Sequence, residues 1–489
     1  MHFDSPLICE NYVGGKFLVA ENNDLIRSYN PATGDLVGTA PQSSVNTAKE
    51  AVEKAARAFE STDWSVNPTA RSKALYLLAS KMEEHRSELV ELLVKDAGKT
   101  IRDAELELNV CIDTLEYYSG LARNVYGKSI DLSPSSFALL VREPIGVVAI
   151  ITPWNWPLLL LIRSLAPALA SGNSVVIKPS SITPVTNFKF IQLLHLTNRF
   201  PDGIVNCITG SGSIVGKELA RNENVDMVSF TGETETGKEI MRLASNNIKK
   251  LSLELGGKSP NIVFADAPFE KAITAAIRGA FLTSGQVCFA GSRLLIDKVV
   301  HDKFISEASK LANQMKVGYG IDPSIELGPL ISEAQMEKVI EYIDDGKRCA
   351  KLVTGGSRLT KDQLSKGFFI SPTIFDDVPN DSKIAQEEIF GPVLSIATFE
   401  NEDEAIEMAN DTKYGLAAAV WTKNLDKALK VSRKVKAGTV WINTYGKNYA
   451  PAEFGGYKQS GLGRLRGIEG LNEFTEIKHI NIDSKQAFE

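Results

Sequence analysis

A cysteine stands among small residues in TSGQVCFAGSR: Cys288, with Gly285, Ala290 and Gly291 around it. Small neighbours let a ligand approach the backbone closely, and a thiol in such a turn, just ahead of a strand, is a candidate nucleophile. The commoner fate of a free cysteine is burial as an inert core thiol. Thirty-four positions earlier, LSLELGGKSPN sets Glu254 at the end of an apolar, strand-like run. A carboxylate there must be paired or held neutral. A raised pKa suits a general base working near pH 7, while a structural ion pair explains the residue equally well. In ITPWNWP, Asn155 lies between two Trp-Pro-bounded turns. Its amide can donate to a developing oxyanion or merely stabilise its own turn.

Generic nucleotide fingerprints fit poorly. GSGSIVG (210–216) misses the spacing GxGxxG by one residue, and GETETGKE (232–239) has Glu239 where a phosphate-binding loop needs Ser or Thr. Phosphoryl transfer therefore has no support. VSFTGETETGKEI still reads as a strand, a glycine and a helix start, and such a helix N-terminus receives a pyrophosphate. Lys178 ends the strand of SVVIKPS, within reach of a ribose or phosphate or simply solvated.

The elements that must position these groups form two series. Helical periodicity dominates the first 120 residues, through VNTAKEAVEKAARAF and ARSKALYLLASKMEEHRSELVELLVKDAGK. From Val141 short β-branched runs (GVVAII, NSVVIK, GIVNCIT, VDMVSF) alternate with helices. A second series follows from Leu251: PNIVFAD, RLLIDK, LVTGG, LSIATF and TVWIN. That alternation marks parallel sheets with crossover helices, and two such lobes collect ligands in the cleft between them. SFALLVRE and TEIKHINI alternate like strands of an extended arm.

Composition narrows the classes. Among 489 residues, 54 Lys+Arg against 60 Asp+Glu give a net charge of −6, so there is no basic footprint for nucleic acid. Five scattered cysteines form no CxxC pair, and the five histidines no HExxH, so neither a disulfide framework nor a metal site is expected. Residues 145–162 carry no charge, but Pro153 and Pro157 break any membrane helix. Nothing at the start reads as a signal peptide, and a cytoplasmic location is expected.

Taken together, TPWNWP, KPSSITP, FTGETETGK, ELGGKSPN, GQVCFAGSR, EEIFGPV, NDTKYGLAA and FGGYKQSGLGR, in this order, resemble the aldehyde dehydrogenase superfamily over essentially the whole chain. Its betaine-aldehyde and semialdehyde branches are the nearest. The resemblance implies an α/β fold with two Rossmann-like parallel-sheet domains facing a cleft, plus a small β oligomerisation arm. Residues 1–123 and 144–252 would form the cofactor domain, 253–457 the catalytic domain, and 124–143 with 458–489 the arm and tail. It further implies that Cys288 attacks the aldehyde, Asn155 and the Cys288 N–H hold the oxyanion, and Glu254 activates the water that hydrolyses a thioester. Glu254 favours release of free acid over transfer to coenzyme A. The cofactor contacts so implied are Ile151, Trp154, Lys178, Ser181, Phe230, Gly232, Glu233, Leu255, Glu388 and Phe390. A homodimer or homotetramer is implied as well.

Departures from the family pattern carry further expectations. Ser181 replaces the glutamate of many NAD-preferring members, which removes repulsion of a 2′-phosphate; the cofactor is NAD or NADP. Glu233 replaces a small hydroxyl residue, and Leu465 a glutamate of a proton relay; neither is given a role. Arg163 stands where betaine-type members place a Trp and semialdehyde members an Arg. It shares a helix face with Leu159 and can hold a substrate carboxylate, or else pair with an acidic residue. The second arginine of succinate-semialdehyde members is Leu282 here. Trp156, Phe289 and Phe454 narrow the pocket, with Lys447, Asn448 and Tyr449 at its mouth. The expected reaction is NAD(P)-dependent oxidation of an aldehyde, with a carboxylate-bearing semialdehyde as substrate. Open alternatives are a betaine, amino-aldehyde or broad-range dehydrogenase, and a non-catalytic binding protein on the same fold.

Overall fold

The computed structural model describes residues 5–20 and 24–483; the outermost ends of the first and last expected segments, 1–4 and 484–489, lie outside the described residues. Two large sheets organise the chain. The first has eight strands in the order Gly461–Leu462, Lys250–Glu254, Met227–Thr231, Val147–Ile151, Ser174–Lys178, Val205–Cys207, Asn11–Val13 and Lys16–Leu18. The five from Lys250 to Cys207 pair in parallel, and the outer three join antiparallel. Val147–Ile151 and Ser174–Lys178 are buried at every position. A parallel sheet covered on both faces requires this, and it explains the unbroken apolar runs.

The second sheet has seven strands, ordered Lys351–Thr354, Thr373–Asp376, Val393–Phe399, Arg293–Asp297, Pro260–Val263, Ala417–Trp421 and Thr439–Ile442. All pair in parallel except Lys351–Thr354. Every strand of the two sequence series is present. The sequence reading passed over two strands of this sheet: the four-residue Thr373–Asp376, and Ala417–Trp421, whose three alanines carry little β signal although all five residues are buried. It also missed the short strands Leu7–Ile8, Leu25–Tyr29 and Leu36–Pro41, which form a small sheet ahead of the helices. Helices occupy the chain from Val45 to Leu121 as the periodicity requires.

Thr475–Asp483 pairs with Ser136–Pro144, which pairs with Lys128–Ser133, all antiparallel. This ribbon is largely exposed, with Ile130, Leu132, Ile477 and Ile480 on its surface. Residues 461–462 pair instead with Lys250–Glu254 in the eight-stranded sheet.

The eight-stranded sheet runs outward in both directions from Val147–Ile151. Its successor Ser174–Lys178 lies on one side and Met227–Thr231 on the other. A crevice opens at the carboxyl ends of strands where the order reverses in this way. Residues 153–155 and 231–235 line a cavity there.

Candidate active site

Cys288 follows three consecutive residues with left-handed backbone: Thr283 (φ 49°), Ser284 (φ 58°) and Gly285 (φ 73°). Such conformations are strained for Thr and Ser and persist only where neighbours over-determine them. The Thr283 N–H and hydroxyl both donate to Asp103 Oδ2 at 3.2 Å, and Ser284 Oγ donates to Gly328 O at 2.7 Å. Gln286 ties the turn down by donating to Thr283 O and accepting from the Ile331 N–H. At Gly285 a Cβ would lie 2.0 Å from Gly391 O. Burial pushes the Cys288 thiol up to about 12; Arg163 opposes the shift, while Glu388 and Glu254 add to it.

Asn155 is 4% exposed and donates one amide hydrogen to Gln286 O at 2.9 Å. Its second amide hydrogen is left for another acceptor. The loop carrying it enters the helix Pro157–Ser171, which has Pro157 at its start and no cap of its own. Glu107 supplies the cap: Oε1 accepts from the Leu158 and Leu159 N–H groups, both at 2.9 Å. Lys99 pairs with Glu107 at 3.1 Å and lies 3.5 Å over the Trp156 ring.

Glu254 ends its strand, in register with Thr231 on one side and Gly461 on the other. It is 3% exposed, and neither carboxylate oxygen has a hydrogen-bond partner. Burial pushes its carboxyl up to about 7, against the opposing charges of Arg163, Arg464 and Arg466. Arg163 Nη1 lies 3.8 Å from Glu254 Oε2, and Arg163 Nη2 donates to Thr231 Oγ1 at 3.1 Å.

Two cavities meet at Cys288, which lines both together with Asn155 and Leu160. The larger, about 390 Å³, is walled by Trp154, Gly232, Glu233, Glu254, Leu255, Glu388 and Phe390 from the expected set. The helix Thr234–Ala244 opens onto it. Phe390 has left-handed backbone (φ 59°) and meets the Trp154 ring edge-on at 5.3 Å. Glu388 accepts from the Gly257 N–H at 3.3 Å, and burial pushes its carboxyl up to about 7. Ile151, Lys178, Ser181 and Phe230 do not line this cavity; the first two and Phe230 sit at or near the ends of the strands beside it. Lys178 donates to Pro179 O at 2.9 Å, and burial lowers its ammonium to about 8. Glu233 is exposed and lies 3.9 Å from Lys338.

The second cavity, about 370 Å³, is lined by all six expected substrate residues: Trp156, Leu159, Arg163, Phe289, Asn448 and Phe454. Phe289 and Phe454 meet edge-on at 6.0 Å, and the Arg163 guanidinium lies 5.6 Å over Phe454. Leu282, Lys447 and Tyr449 line it as well. Arg163 lines the cavity and also lies beside an acidic residue, Glu254, the pairing weighed for it in the sequence.

Several site residues escaped the sequence reading. Asp103 and Glu107 come from the helix Ile101–Leu121, far from any motif. Gln335 and Lys338 come from the helix Glu333–Cys349; Gln335 donates to Phe390 O at 2.9 Å and so holds that strained residue. Arg466 lines the substrate cavity. Among the described residues one cluster has metal-ligand spacing: His301, Asp376 and Asp377. It lies outside both cavities, and His301 is already bonded to Asp376 and Asp302.

A nucleotide fits the larger cavity. A helix N-terminus and Lys338 supply positive ends for phosphates, buried Glu388 offers acceptors for hydroxyls, and the perpendicular rings of Trp154 and Phe390 give an apolar corner. Gly232 leaves room at the crevice; a Cβ there would meet the Phe230 ring at 2.5 Å.

Residues 18–480 match the model of the Aldehyde dehydrogenase family. Betaine aldehyde dehydrogenase of Bacillus subtilis (strain 168) is 44% identical over 479 residues, covering 97% of this chain and 98% of that protein. The crystal structure of betaine aldehyde dehydrogenase from Staphylococcus aureus in complex with NAD+ superposes with a TM-score of 0.95 at 42% identity, covering 97% of this chain and 95% of that one. A variant of an aldehyde dehydrogenase from Bacillus cereus gives 0.95 at 39% identity, covering 98% and 97%.

Proposed function

Since the chain belongs to the aldehyde dehydrogenase family and is an NAD-dependent oxidoreductase, we propose that it oxidises an aldehyde carrying a remote carboxylate to the corresponding diacid. The observation that carries the substrate class is charge. Arg163, Lys447 and Arg466 line the substrate cavity, and no Asp or Glu is among its lining residues. Such a cavity draws an anion and repels a cation.

In this reading Cys288 Sγ, as thiolate, attacks the carbonyl carbon. A C–S bond forms, and the carbonyl electron pair moves onto oxygen. The free Asn155 amide hydrogen and the Cys288 N–H stabilise that oxyanion. NAD+, held by Glu388, Phe390, Trp154 and the helix at Thr234, supplies the hydride acceptor. Loss of hydride from the hemithioacetal carbon to that acceptor re-forms the C=O bond as a thioester. Glu254 then takes a proton from water, the hydroxide adds to the thioester carbon, and the C–S bond breaks to release the acid and return the Cys288 thiolate, the proton remaining on Glu254. Burial of Glu254 without hydrogen bonds leaves its oxygens ready to accept that proton. Glu254 also lies near enough to Cys288 to act on its charge.

Use of NADP belongs to this proposal, because Ser181 puts no carboxylate beside the strand-end Lys178. So does a homo-oligomer joined through the exposed ribbon that bears Ile130, Ile477 and Ile480. Five free cysteines suit a reducing, cytoplasmic setting. No helix among the described residues is long and apolar enough to cross a membrane.

A quaternary-ammonium aldehyde is the second reading. It is supported by the names of the relatives and by the aromatic walls Trp156, Phe289 and Phe454, which suit a cation. The deciding test compares kcat/KM for succinate semialdehyde, betaine aldehyde and butanal, on wild type and Arg163→Leu. Preference for the anion that collapses in the variant supports the first reading. Preference for betaine aldehyde, unchanged in the variant, overturns it.

A further inference from the structure

Arg466 sits in SGLGRLRG, where the sequence offered no role for it. It is 4% exposed and lines the substrate cavity. Its backbone is left-handed (φ 64°), a conformation a non-glycine residue keeps only under constraint. The chain around it is pinned: Leu465 exchanges both backbone hydrogen bonds with Phe454 (2.8 and 2.9 Å), and the Gly467 N–H donates to Ala450 O. The guanidinium it delivers is unsatisfied. Nε and Nη1 are buried with no hydrogen-bond partner, and no carboxylate lies within ion-pair distance among the described residues. Arg163 is in a similar state at Nε, and its one carboxylate contact, with Glu254, is a loose 3.8 Å.

Two buried guanidiniums in one cavity repel each other and have each lost their hydration. Leaving such a charge without a partner is strongly unfavourable. The remaining charged groups in their field do not repair this. Glu254 is already shared with Arg163, Asp113 on the helix Ile101–Leu121 is not paired with Arg466, and Lys447 adds a third positive charge. A bound anion in the cavity both arginines line would offset the charge of the two guanidiniums at once. Guanidinium forks match a planar carboxylate, which accepts parallel hydrogen bonds on its two oxygens.

We propose that Arg466 and Arg163 together form an anion subsite in the substrate cavity, with Arg466 as a specificity-determining residue that grips the remote carboxylate of the aldehyde. This rests on the anionic-substrate reading above and adds to it a second anchor. The phenyl faces of Phe454 and Phe289 flank the methylene chain, and the aldehyde carbon points back to Cys288.

The test uses wild type, Arg466→Gln and Arg466→Lys, with succinate semialdehyde and butanal as substrates. The ratio of kcat/KM for the anion over the neutral aldehyde should fall roughly tenfold to hundredfold in Arg466→Gln, the loss of charge-assisted hydrogen bonds. The fall should appear in KM. Arg466→Lys, which keeps the charge but not the fork, should lie between. A ratio unchanged in Arg466→Gln, or equal losses for both aldehydes, overturns the assignment. Should Arg466→Gln fail to fold, inhibition of wild type decides: succinate should compete with the aldehyde about tenfold more strongly than butyrate. Equal inhibition overturns the subsite. If wild type prefers butanal or betaine aldehyde, the substrate class is wrong. If wild type prefers the anion and only Arg163→Leu abolishes that preference, the class stands and Arg466 is not an anchor.

Discussion

Arg163 reaches two neighbouring strands at once: its Nη1 lies 3.8 Å from Glu254 Oε2, while its Nη2 donates to Thr231, the residue in register with Glu254. One guanidinium therefore links the wall of the second cavity to the carboxylate proposed to activate water. A charge there holds down a carboxyl that burial drives up.

The first expectation concerns pH. With the Glu254 carboxyl raised to about 7, the base is protonated and idle below that pH. Deacylation should fall about tenfold per pH unit on the acid side. Replacing Arg163 with Leu removes the opposing cation, so the acid limb should move to higher pH. Profiles of kcat against pH for both proteins, with butanal as substrate, check this. A limb that stays in place shows that the pair is too loose to govern the base.

Glu254→Gln should form product in a first burst and then stall with the acyl group on Cys288, since the amide cannot take the proton from water. Stopped-flow absorbance of reduced cofactor resolves the two phases. Burst and steady state damaged alike would place Glu254 ahead of hydride transfer instead.

Cys288→Ser should lose roughly a thousandfold or more in dehydrogenase turnover, because the hydroxyl is a far weaker nucleophile without its own base. Cofactor affinity, measured by fluorescence titration, should change less than about threefold, since the proposed cofactor contacts lie on Glu388, Phe390 and the helix at Thr234. Near-normal turnover would remove Cys288 from its role.

What could be read in the sequence follows from how each residue is placed. Cys288, Glu254 and Asn155 sit in short motifs of glycine, proline and tryptophan, which fix local backbone and so leave a mark in the chain. Arg163 was legible through the family resemblance, eight positions after Asn155, and through its four-residue spacing from Leu159 on one helix face. Asp103, Glu107 and Gln335 left no such mark. Each is an ordinary polar residue on a helix, and its function lies in a contact 50 to 180 positions away. Arg466 was hidden for another reason. Its neighbour Leu465 occupies the position where relatives carry a glutamate, and only the left-handed turn decides how the next side chain is aimed. Most parallel strands of both sheets were legible because strands buried on two faces are continuous in β-branched residues. Ala417–Trp421 was missed where alanine took their place, and Thr373–Asp376 and the antiparallel edge strands Asn11–Val13 and Lys16–Leu18 were missed because each is only three or four residues long.

Ser181→Glu should lower kcat/KM for NADP at least about tenfold more than for NAD, because a carboxylate repels the 2′-phosphate and accepts from the ribose hydroxyls. Steady-state kinetics with each cofactor gives the ratio. An unchanged ratio would mean that residue 181, which does not line the cavity, stays out of reach of the ribose.

Gly256→Ala separates the cofactor site from the stability of the fold. A Cβ at Gly256 would lie 2.1 Å from Glu388 Oε2, and its nearest neighbours are all atoms of that one carboxylate. No backbone strain arises, since Gly256 is not among the residues with positive φ. The end of a side chain can swing away, whereas backbone cannot, so the clash should be relieved by displacing Glu388 from its Gly257 N–H contact. KM for NAD should then rise by roughly tenfold, the worth of one hydrogen bond to a charged group, with kcat reduced much less. The melting temperature should stay within about 2 °C, as no apolar packing is lost. A large fall in melting temperature with KM unchanged would show that Gly256 serves the packing of the strand end and that Glu388 has no part in holding the cofactor.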